Sequence, residues 1–183
     1  RAVHRDGGCG RLGRSLVHWN FAFNSEASLL EGNRIRDNGQ GVSPRFTTTA
    51  TVEGYSPLDQ YLMGFIPAAR VPDTFWVKNP TTTAGGRPPQ IGVNFNGQRM
   101  NVTINDIIEA EGRRTPDDTV SQRHFRFAFV LVTAQGVQPT ADQIAQLDAY
   151  RSNFEGAFNR FTGGNAYADT ALARAVQLSA APA

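Results

Sequence analysis

Alternation of apolar and polar positions predicts three strands in the first half of the chain. Apolar and polar residues alternate most clearly over 15–23. The segments 46–52 and 75–77 are rich in β-branched and aromatic side chains. The apolar face of the first predicted strand carries Val17, Trp19, Phe21 and Phe23. His18 lies on its opposite face.

A β-hairpin is the clearest local prediction, over residues 90–104. Apolar residues alternate on both sides of Asn96-Gly97, a preferred sequence for a two-residue type I′ turn. That turn would place Val93 opposite Met100 and all the apolar side chains on one face.

A third pattern spans residues 125–132, where the first half alternates and the second half is apolar on both faces. It predicts a long strand whose far end is central in a sheet.

Helical patterns complete the picture. A long helix is predicted to open at Thr140, which forms a capping-box sequence with Gln143, and to end at Gly163-Gly164. One apolar stripe, expected to face the core, comprises Ile144, Leu147, Phe154, Phe158 and Phe161. A shorter helix over 107–111 would be capped by Thr103 or Asn105.

The shortest predicted helix has both ends marked. Ser56 is a good N-cap, Pro57 suits the first helical position, and Asp59 meets the positive end of the helix dipole. Gly64 can adopt the left-handed conformation that closes a helix. Ser56 and Gly64 are therefore predicted to have structural roles.

These elements predict an α+β fold, with a mainly antiparallel sheet and a long C-terminal helix packed against it. The predicted organisation is a flexible leader over 1–14, a single domain over 15–178 and a tail over 179–183. Glycines among charged residues suggest the leader, and an alanine-rich end suggests the tail.

Composition narrows the classes of function. The chain is 40% hydrophobic and 19% charged, which is typical of a globular protein. A net charge of +2 gives no indication of nucleic-acid binding, and no apolar run is long enough for a membrane span. The single cysteine excludes an internal disulfide. Oligomeric state is left open.

Residues 32–44 are rich in asparagine, aspartate and glycine. Such residues favour turns, and their oxygen atoms also suit calcium. An ordinary turn is the simpler interpretation, since the acidic pattern of an EF-hand loop is absent; calcium at Asp37 and Asn38 is the alternative.

One resemblance adds to this picture. The segment Tyr-Ser-Pro-Leu-Asp-x-Tyr-Leu-Met-Gly at 55–64, with His-Trp-x-Phe at 18–21 and Glu-Gly-Asn at 31–33, resembles a group of bacterial, exported zinc-metallopeptidase-like proteins. In that group a His-Glu-x-x-His helix usually lies upstream. This chain has no such motif, so the resemblance implies a fragment or a non-catalytic relative.

The resemblance also implies roles for individual residues. Zinc hydrolysis needs three protein ligands, an open position and a general base. Asp59 and His18 are the candidate metal ligands from this chain, and Tyr55 or Tyr61 could stabilise an oxyanion. Met63 could pack beneath the metal. The structural alternatives are a first-turn carboxylate for Asp59 and core filling for Met63.

Two functions follow as hypotheses. In the first, the chain is the C-terminal portion of a secreted or cell-surface zinc-metallopeptidase-like domain, inactive alone, whose parent would act on a peptide or protein. In the second, it is a non-catalytic extracellular module that binds protein or glycan. Whether the chain belongs to an enzyme is left open.

Overall fold

The structure, a computed structural model, describes residues 17–82 and 87–171. The predicted leader and the predicted tail lie outside these ranges. The helices are α1 (Pro57–Leu62), α2 (Ile104–Glu111) and α3 (Ala141–Phe161), with a short 3₁₀ turn at Ala68–Arg70. The strands are β1 (Asn33–Asp37), β2 (Phe46–Thr51), β3 (Thr74–Lys78), β4 (Asn94–Phe95), β5 (Gln98–Val102), β6 (His124–Arg126) and β7 (Tyr167–Asp169).

The α+β fold class is confirmed. Strands β1, β2 and β4 form one antiparallel sheet in that order, and β3 and β5 form a second antiparallel sheet. A third, parallel pair joins β6 to β7, and α3 packs against it through its C-terminal half.

Two apolar clusters make up the core in the described part of the chain. The first lies between the antiparallel sheets and contains Phe21, Ala22, Ile35, Phe46, Phe75, Val77 and Phe95. The second joins α1, α2 and α3 and contains Phe23, Leu58, Tyr61, Phe65, Ile66, Val102, Ile107, Phe158 and Ala166. Phe21 and Phe23 belong to different clusters, so the loop that carries them connects the two.

The predicted strand over 15–23 is wrong for the residues that the structure describes. Residues 17–24 form turns with isolated bridges, such as that between Phe23 and Trp76. The Asn20 side chain accepts from the Ala22 backbone N–H at 2.9 Å, and its carbonyl accepts from Phe23 at 3.0 Å. These local bonds make a turn out of a sequence whose alternation suggested a strand.

The predicted hairpin is also wrong. Strand β4 pairs with β2 and strand β5 pairs with β3, so the two strands belong to different sheets. Neither Asn96 nor Gly97 has the positive φ that a type I′ turn requires. Instead Asn96 joins neighbouring segments, accepting from the Arg45 backbone N–H at 2.8 Å. Gly97 passes so close to β3 that an added Cβ would lie 2.9 Å from the Lys78 carbonyl oxygen.

The long strand predicted over 125–132 is reduced to the three residues of β6, of which His124 lies outside the predicted range. Its second half lies at an exposed edge, with Val130 75% and Val132 84% exposed. The Phe127 backbone N–H still donates to the Asp169 carbonyl of β7 at 2.9 Å, but within the described ranges no strand pairs with residues 128–132. A run that is apolar on both faces indicated a central strand, but it lies here on the surface.

Helix α3 matches its predicted ends, and its stripe is buried only in part. The capping box of Thr140 and Gln143 is present, and Gly163 and Gly164 have positive φ. Phe154 and Phe158 pack against the aromatic residues around β6, whereas Ile144 is 52% exposed. The core prediction therefore holds for the C-terminal half of the stripe. Helix α2 begins at Ile104 with Thr103 as its N-cap, one of the two predicted caps.

An ion-pair cluster around Asp37 connects the two antiparallel sheets. The Asp37 carboxylate, at the end of β1, contacts Arg45 at 3.1 Å and Arg99 of β5 at 3.0 Å. The Arg99 guanidinium also lies 3.9 Å from the centroid of the Phe75 ring. The hydrogen bond from Arg45, with further ones from Gly39 and Arg99, lowers the pKa of Asp37 to about 2.

The same cluster bears on the calcium hypothesis. Two guanidinium groups already neutralise Asp37, and Asn38 accepts from Arg36 and donates to the Pro44 carbonyl. These contacts favour the turn interpretation, in which the acidic and amide groups serve local structure.

We predict that Asp37→Asn lowers the free energy of unfolding by about 1–2 kcal/mol at neutral pH, because charged hydrogen bonds are lost. The pKa of Asp37 is lowered from 3.8 to about 2, so its stabilisation is present above pH 3.8 and is lost as the pH falls through about 2. Urea denaturation at several pH values measures this.

The control for that prediction is Asp148→Asn, which removes an exposed ion pair with Arg151 on α3 and should change stability by less than about 0.5 kcal/mol. A difference between Asp37→Asn and the native chain that stayed constant down to pH 2 would contradict the expected pH dependence.

We also predict that Gly97→Ala destabilises the fold by about 1–3 kcal/mol, because the new methyl would overlap Val77 and the Lys78 carbonyl. The matched control is Gly156→Ala on α3, where the nearest atom is 3.5 Å away. That change should stabilise by about 0.5–1 kcal/mol through helix propensity. Equal urea midpoints for the two variants would refute the close-approach explanation.

Candidate functional site

Asp59 is the centre of the candidate site, and its own helix holds it first. The Asp59 backbone N–H donates to Ser56 Oγ at 3.1 Å, and the Ser56 backbone N–H donates to Asp59 Oδ2 at 2.7 Å. This reciprocal capping box confirms the predicted structural role of Ser56.

Two side chains from a distant loop complete the environment of Asp59. The indole N–H of Trp19 donates to Asp59 Oδ1 at 3.0 Å, and the Ser28 hydroxyl donates to Oδ2 at 2.6 Å. The carboxylate is only 2% exposed. It therefore accepts three hydrogen bonds in a buried position, and these attach the loop of Trp19 and Ser28 to helix α1.

His18 precedes Trp19 in the chain, and its side chain contacts Glu31 rather than Asp59. Its Nδ1 lies 3.7 Å from Glu31 Oε2, which is an ion-pair distance rather than a hydrogen bond. Both side chains are about one-third exposed. Trp19, the next residue in the chain, is the one bound by the buried Asp59 carboxylate.

The loop that presents Glu31 is itself tightly built. A Cβ on Gly32 would overlap the Ser25 side chain, so only glycine fits there. Asn33 is fully buried, donating to the Phe21 carbonyl at 3.0 Å and accepting from the Gln90 backbone at 3.1 Å. Local packing and hydrogen bonding therefore explain Gly32 and Asn33, two of the three residues in the Glu-Gly-Asn segment.

The structure does not bring the two candidate catalytic tyrosines to one place. Tyr55 lines a groove of about 410 Å³ beside the C-terminal end of α3. Tyr61 is buried, and its hydroxyl accepts from the Arg114 backbone N–H at 3.2 Å beside a separate cavity of about 530 Å³. Neither of these cavities has His18 or Asp59 in its lining. The two tyrosines thus have different surroundings.

Met63 and Gly64 follow the structural interpretation of the sequence. Met63 is partly buried and packs against the cluster of apolar residues around α1. Gly64 has φ of +76°, and a Cβ there would lie 2.9 Å from Ser121 Cβ. Gly64 is therefore required both by the helix end and by the packing of the loop beside it.

No group of three or more histidine, cysteine, aspartate or glutamate side chains suited to a metal ion occurs in residues 17–82 and 87–171. None of the helices in these ranges is long and apolar enough to cross a membrane. The metal roles of Asp59 and His18 stay predictions. The Asp59 carboxylate is buried and already accepts from Trp19, Ser28 and Ser56.

Three important contacts were not predicted from the sequence. The alternation of residues 15–23 indicated only a core role for Trp19, although a buried indole N–H usually needs an acceptor. Ser28 carries no sequence signal at all. Glu31 belongs to the quoted Glu-Gly-Asn segment, but its position beside His18 depends on the path of the loop between them.

Comparison of the chain with protein-family models, with curated proteins and with solved structures gives no match. The fold assignment accordingly rests on the structure, and the functional argument rests on the residues of the site.

We predict that Asp59→Asn lowers the free energy of unfolding by about 2–3 kcal/mol. The amide NH₂ must face at least one of the donors now bound by the carboxylate, which leaves buried hydrogen-bonding groups without partners. Urea denaturation followed by tryptophan fluorescence measures the loss and also reports on Trp19.

The control for this prediction is Asp106→Asn. Asp106 forms the same capping box with Thr103 at the start of α2, but it is exposed. Its replacement should cost less than about 1 kcal/mol. Losses of equal size for the two aspartates would show that the buried network adds nothing beyond helix capping.

Proposed function

We propose that this chain is the C-terminal portion of a zinc-metallopeptidase-like domain, inactive alone, in which His18 provides one zinc ligand. The observation that supports this role is the carboxylate of Glu31 on the Nδ1 side of the His18 ring, 3.7 Å away. Histidines that bind zinc usually have a carboxylate, carbonyl or water at the second nitrogen, which fixes the tautomer and the orientation of the ring.

This geometry suits the use of Nε2 as the ligand atom. A carboxylate beside Nδ1 favours a proton on that nitrogen, so the lone pair of neutral imidazole lies on Nε2. His18 is partly exposed, which leaves the ring accessible to groups outside the described residues. The remaining zinc ligands and the general base would belong to the His-Glu-x-x-His helix that the resemblance implies.

In this proposal Asp59 is a positioning residue. Its oxygens accept from three donors, and breaking these bonds would leave a partly buried indole N–H and a buried hydroxyl without their acceptor. Held in place, the carboxylate fixes Trp19 and thereby the backbone that carries His18. The original ligand hypothesis for Asp59 is kept as an outcome of the test below.

The remaining parts of the proposal rest on the resemblance. The parent protein would be secreted or at the cell surface. It would hydrolyse peptide bonds in a peptide or protein substrate with a zinc-activated water. Tyr55 and Tyr61 are retained as oxyanion candidates only for a cavity that the completed domain would form.

The test uses the protein encoded by the whole reading frame to which this chain belongs. We expect a His-Glu-x-x-His sequence before His18 and stoichiometric zinc by elemental analysis of the purified protein. His18→Ala should weaken zinc binding by at least about tenfold, and Glu31→Gln by about 10–100-fold, the range found for such supporting carboxylates. Competition with a zinc-specific chelator measures both.

The matched control is His124→Ala, which removes an exposed histidine on β6 that has no part in the proposed site. It should leave zinc affinity unchanged. A reading frame without His-Glu-x-x-His, or zinc affinity that is unchanged in His18→Ala, would refute the proposal. A loss of zinc in Asp59→Asn at concentrations where the protein is still folded would restore Asp59 as a ligand.

The alternative, a non-catalytic extracellular module that binds protein or glycan, is favoured by one observation. Large apolar side chains of residues 130–150 are exposed, among them Val130, Val132 and Tyr150. Where such groups form one continuous patch, they mark a protein-contacting surface. Failure of the zinc test in a well-folded protein would leave this function as the better supported one.

A further inference from the structure

The groove beside Tyr55 has features of a ligand site that are independent of zinc. It has a volume of about 410 Å³ and lies where the start of α1, the end of β2 and the last turn of α3 meet. A backbone hydrogen bond joins two residues of its lining, since the Tyr55 N–H donates to the Phe161 carbonyl at 2.9 Å.

The lining of this groove includes two carboxylates that share one arginine. Arg34 contacts Glu26 at 3.0 Å and Glu53 at 2.8 Å. Asn24 also donates to Glu26 at 2.7 Å. Two carboxylates against one guanidinium leave a net negative charge, and all three side chains are 40–54% exposed, so a ligand can reach them.

The backbone beside both carboxylates is strained. Glu26 and Ala27 have φ of 56°, and Val52, next to Glu53, has φ of 52°. Non-glycine residues rarely adopt the left-handed region, least of all a β-branched valine, and such strain concentrates at functional sites.

The cationic part of the groove is Arg160, in the last turn of α3. Among the residues that the structure describes, no carboxylate pairs with its guanidinium. Tyr55 also lines the groove, and its hydroxyl is of a type that can donate a hydrogen bond to an anion. The groove thus has positive and negative groups in one lining.

An apolar crevice adjoins the groove. The two share Glu26, Ser56, Pro57 and Pro72 in their linings. The crevice is also lined by Phe23, Leu58 and Val71, and its volume of about 20 Å³ suits a group no larger than a methyl. Glu26 borders both spaces, whereas Arg160 lines the groove alone.

We propose that this groove binds a short zwitterionic peptide whose first side chain is small. The ligand ammonium would contact Glu26 and Glu53, its first side chain would enter the crevice, and its carboxylate would contact Arg160 and the Tyr55 hydroxyl. A free peptide with an N-terminal alanine carries these three groups in that order. The site does not involve His18, so the proposal is independent of the zinc ligands.

The experiment titrates this chain, without added zinc, with alanyl-alanine, its N-acetyl form and its C-terminal amide. Chemical-shift changes by NMR measure the affinities and report on residues near the groove. We expect millimolar or tighter binding of the free dipeptide, weakened about three- to tenfold by blocking either end, since each block removes one charged contact.

Variants assign the two ends of the ligand. Arg160→Gln should weaken binding of the free dipeptide and abolish the preference over the amide. Glu53→Gln should reduce the preference over the N-acetyl form, because Glu26 remains as the second carboxylate. Arg70→Gln and Glu109→Gln, two charge changes outside the groove, should have no effect. No binding at millimolar concentration, equal affinity for the blocked forms, or unchanged preferences in Arg160→Gln would overturn the proposal.

Discussion

The rest of the structure depends on one buried carboxylate. Asp59 accepts hydrogen bonds from an indole, a hydroxyl and a backbone N–H, and these come from Trp19, Ser28 and Ser56. Burying a carboxylate is costly unless its oxygens are satisfied, so these donors are required together. The result is a connection between a loop without regular secondary structure and a helix of six residues, neither of which would be stable alone.

This connection also explains how two separate cores become one fold. Phe21 packs between the antiparallel sheets, Phe23 packs under α1, and the turn between them is short. Before that turn, Trp19 is bound by the Asp59 carboxylate. After it, the Asn24 backbone N–H donates to the Phe75 carbonyl of β3. The position of His18, and with it the proposed zinc ligand, follows from the same set of contacts.

Local signals predicted the helix ends well, because a cap depends on residues only three or four positions apart. Ser56, Thr103, Thr140 and Gly64 all have the predicted roles. Strand pairing could not be predicted in the same way. Asn96-Gly97 favours a hairpin locally, but the strands on its two sides find partners in different sheets. Whether an apolar strand is central or at an edge, as at Val130, likewise depends on which segments lie beside it.

Only the local part of the candidate site could be predicted from the sequence, because its other contacts join residues that are far apart along the chain. The capping role of Asp59 is local, whereas Trp19 and Ser28 are 40 and 31 residues away from it in the sequence. No pattern of spacing identifies such partners. The contact between His18 and Glu31 similarly depends on a loop whose course is set by left-handed residues and by the fit of Gly32 against Ser25.

The uncharged segment that follows β6 has a consequence for the behaviour of this chain in solution. From Phe127 to Ala141 there is no charged side chain, and lysines, which commonly protect the rim of a sheet from pairing with other chains, are missing there. Concentrated preparations of this chain would therefore tend to associate through that uncharged segment.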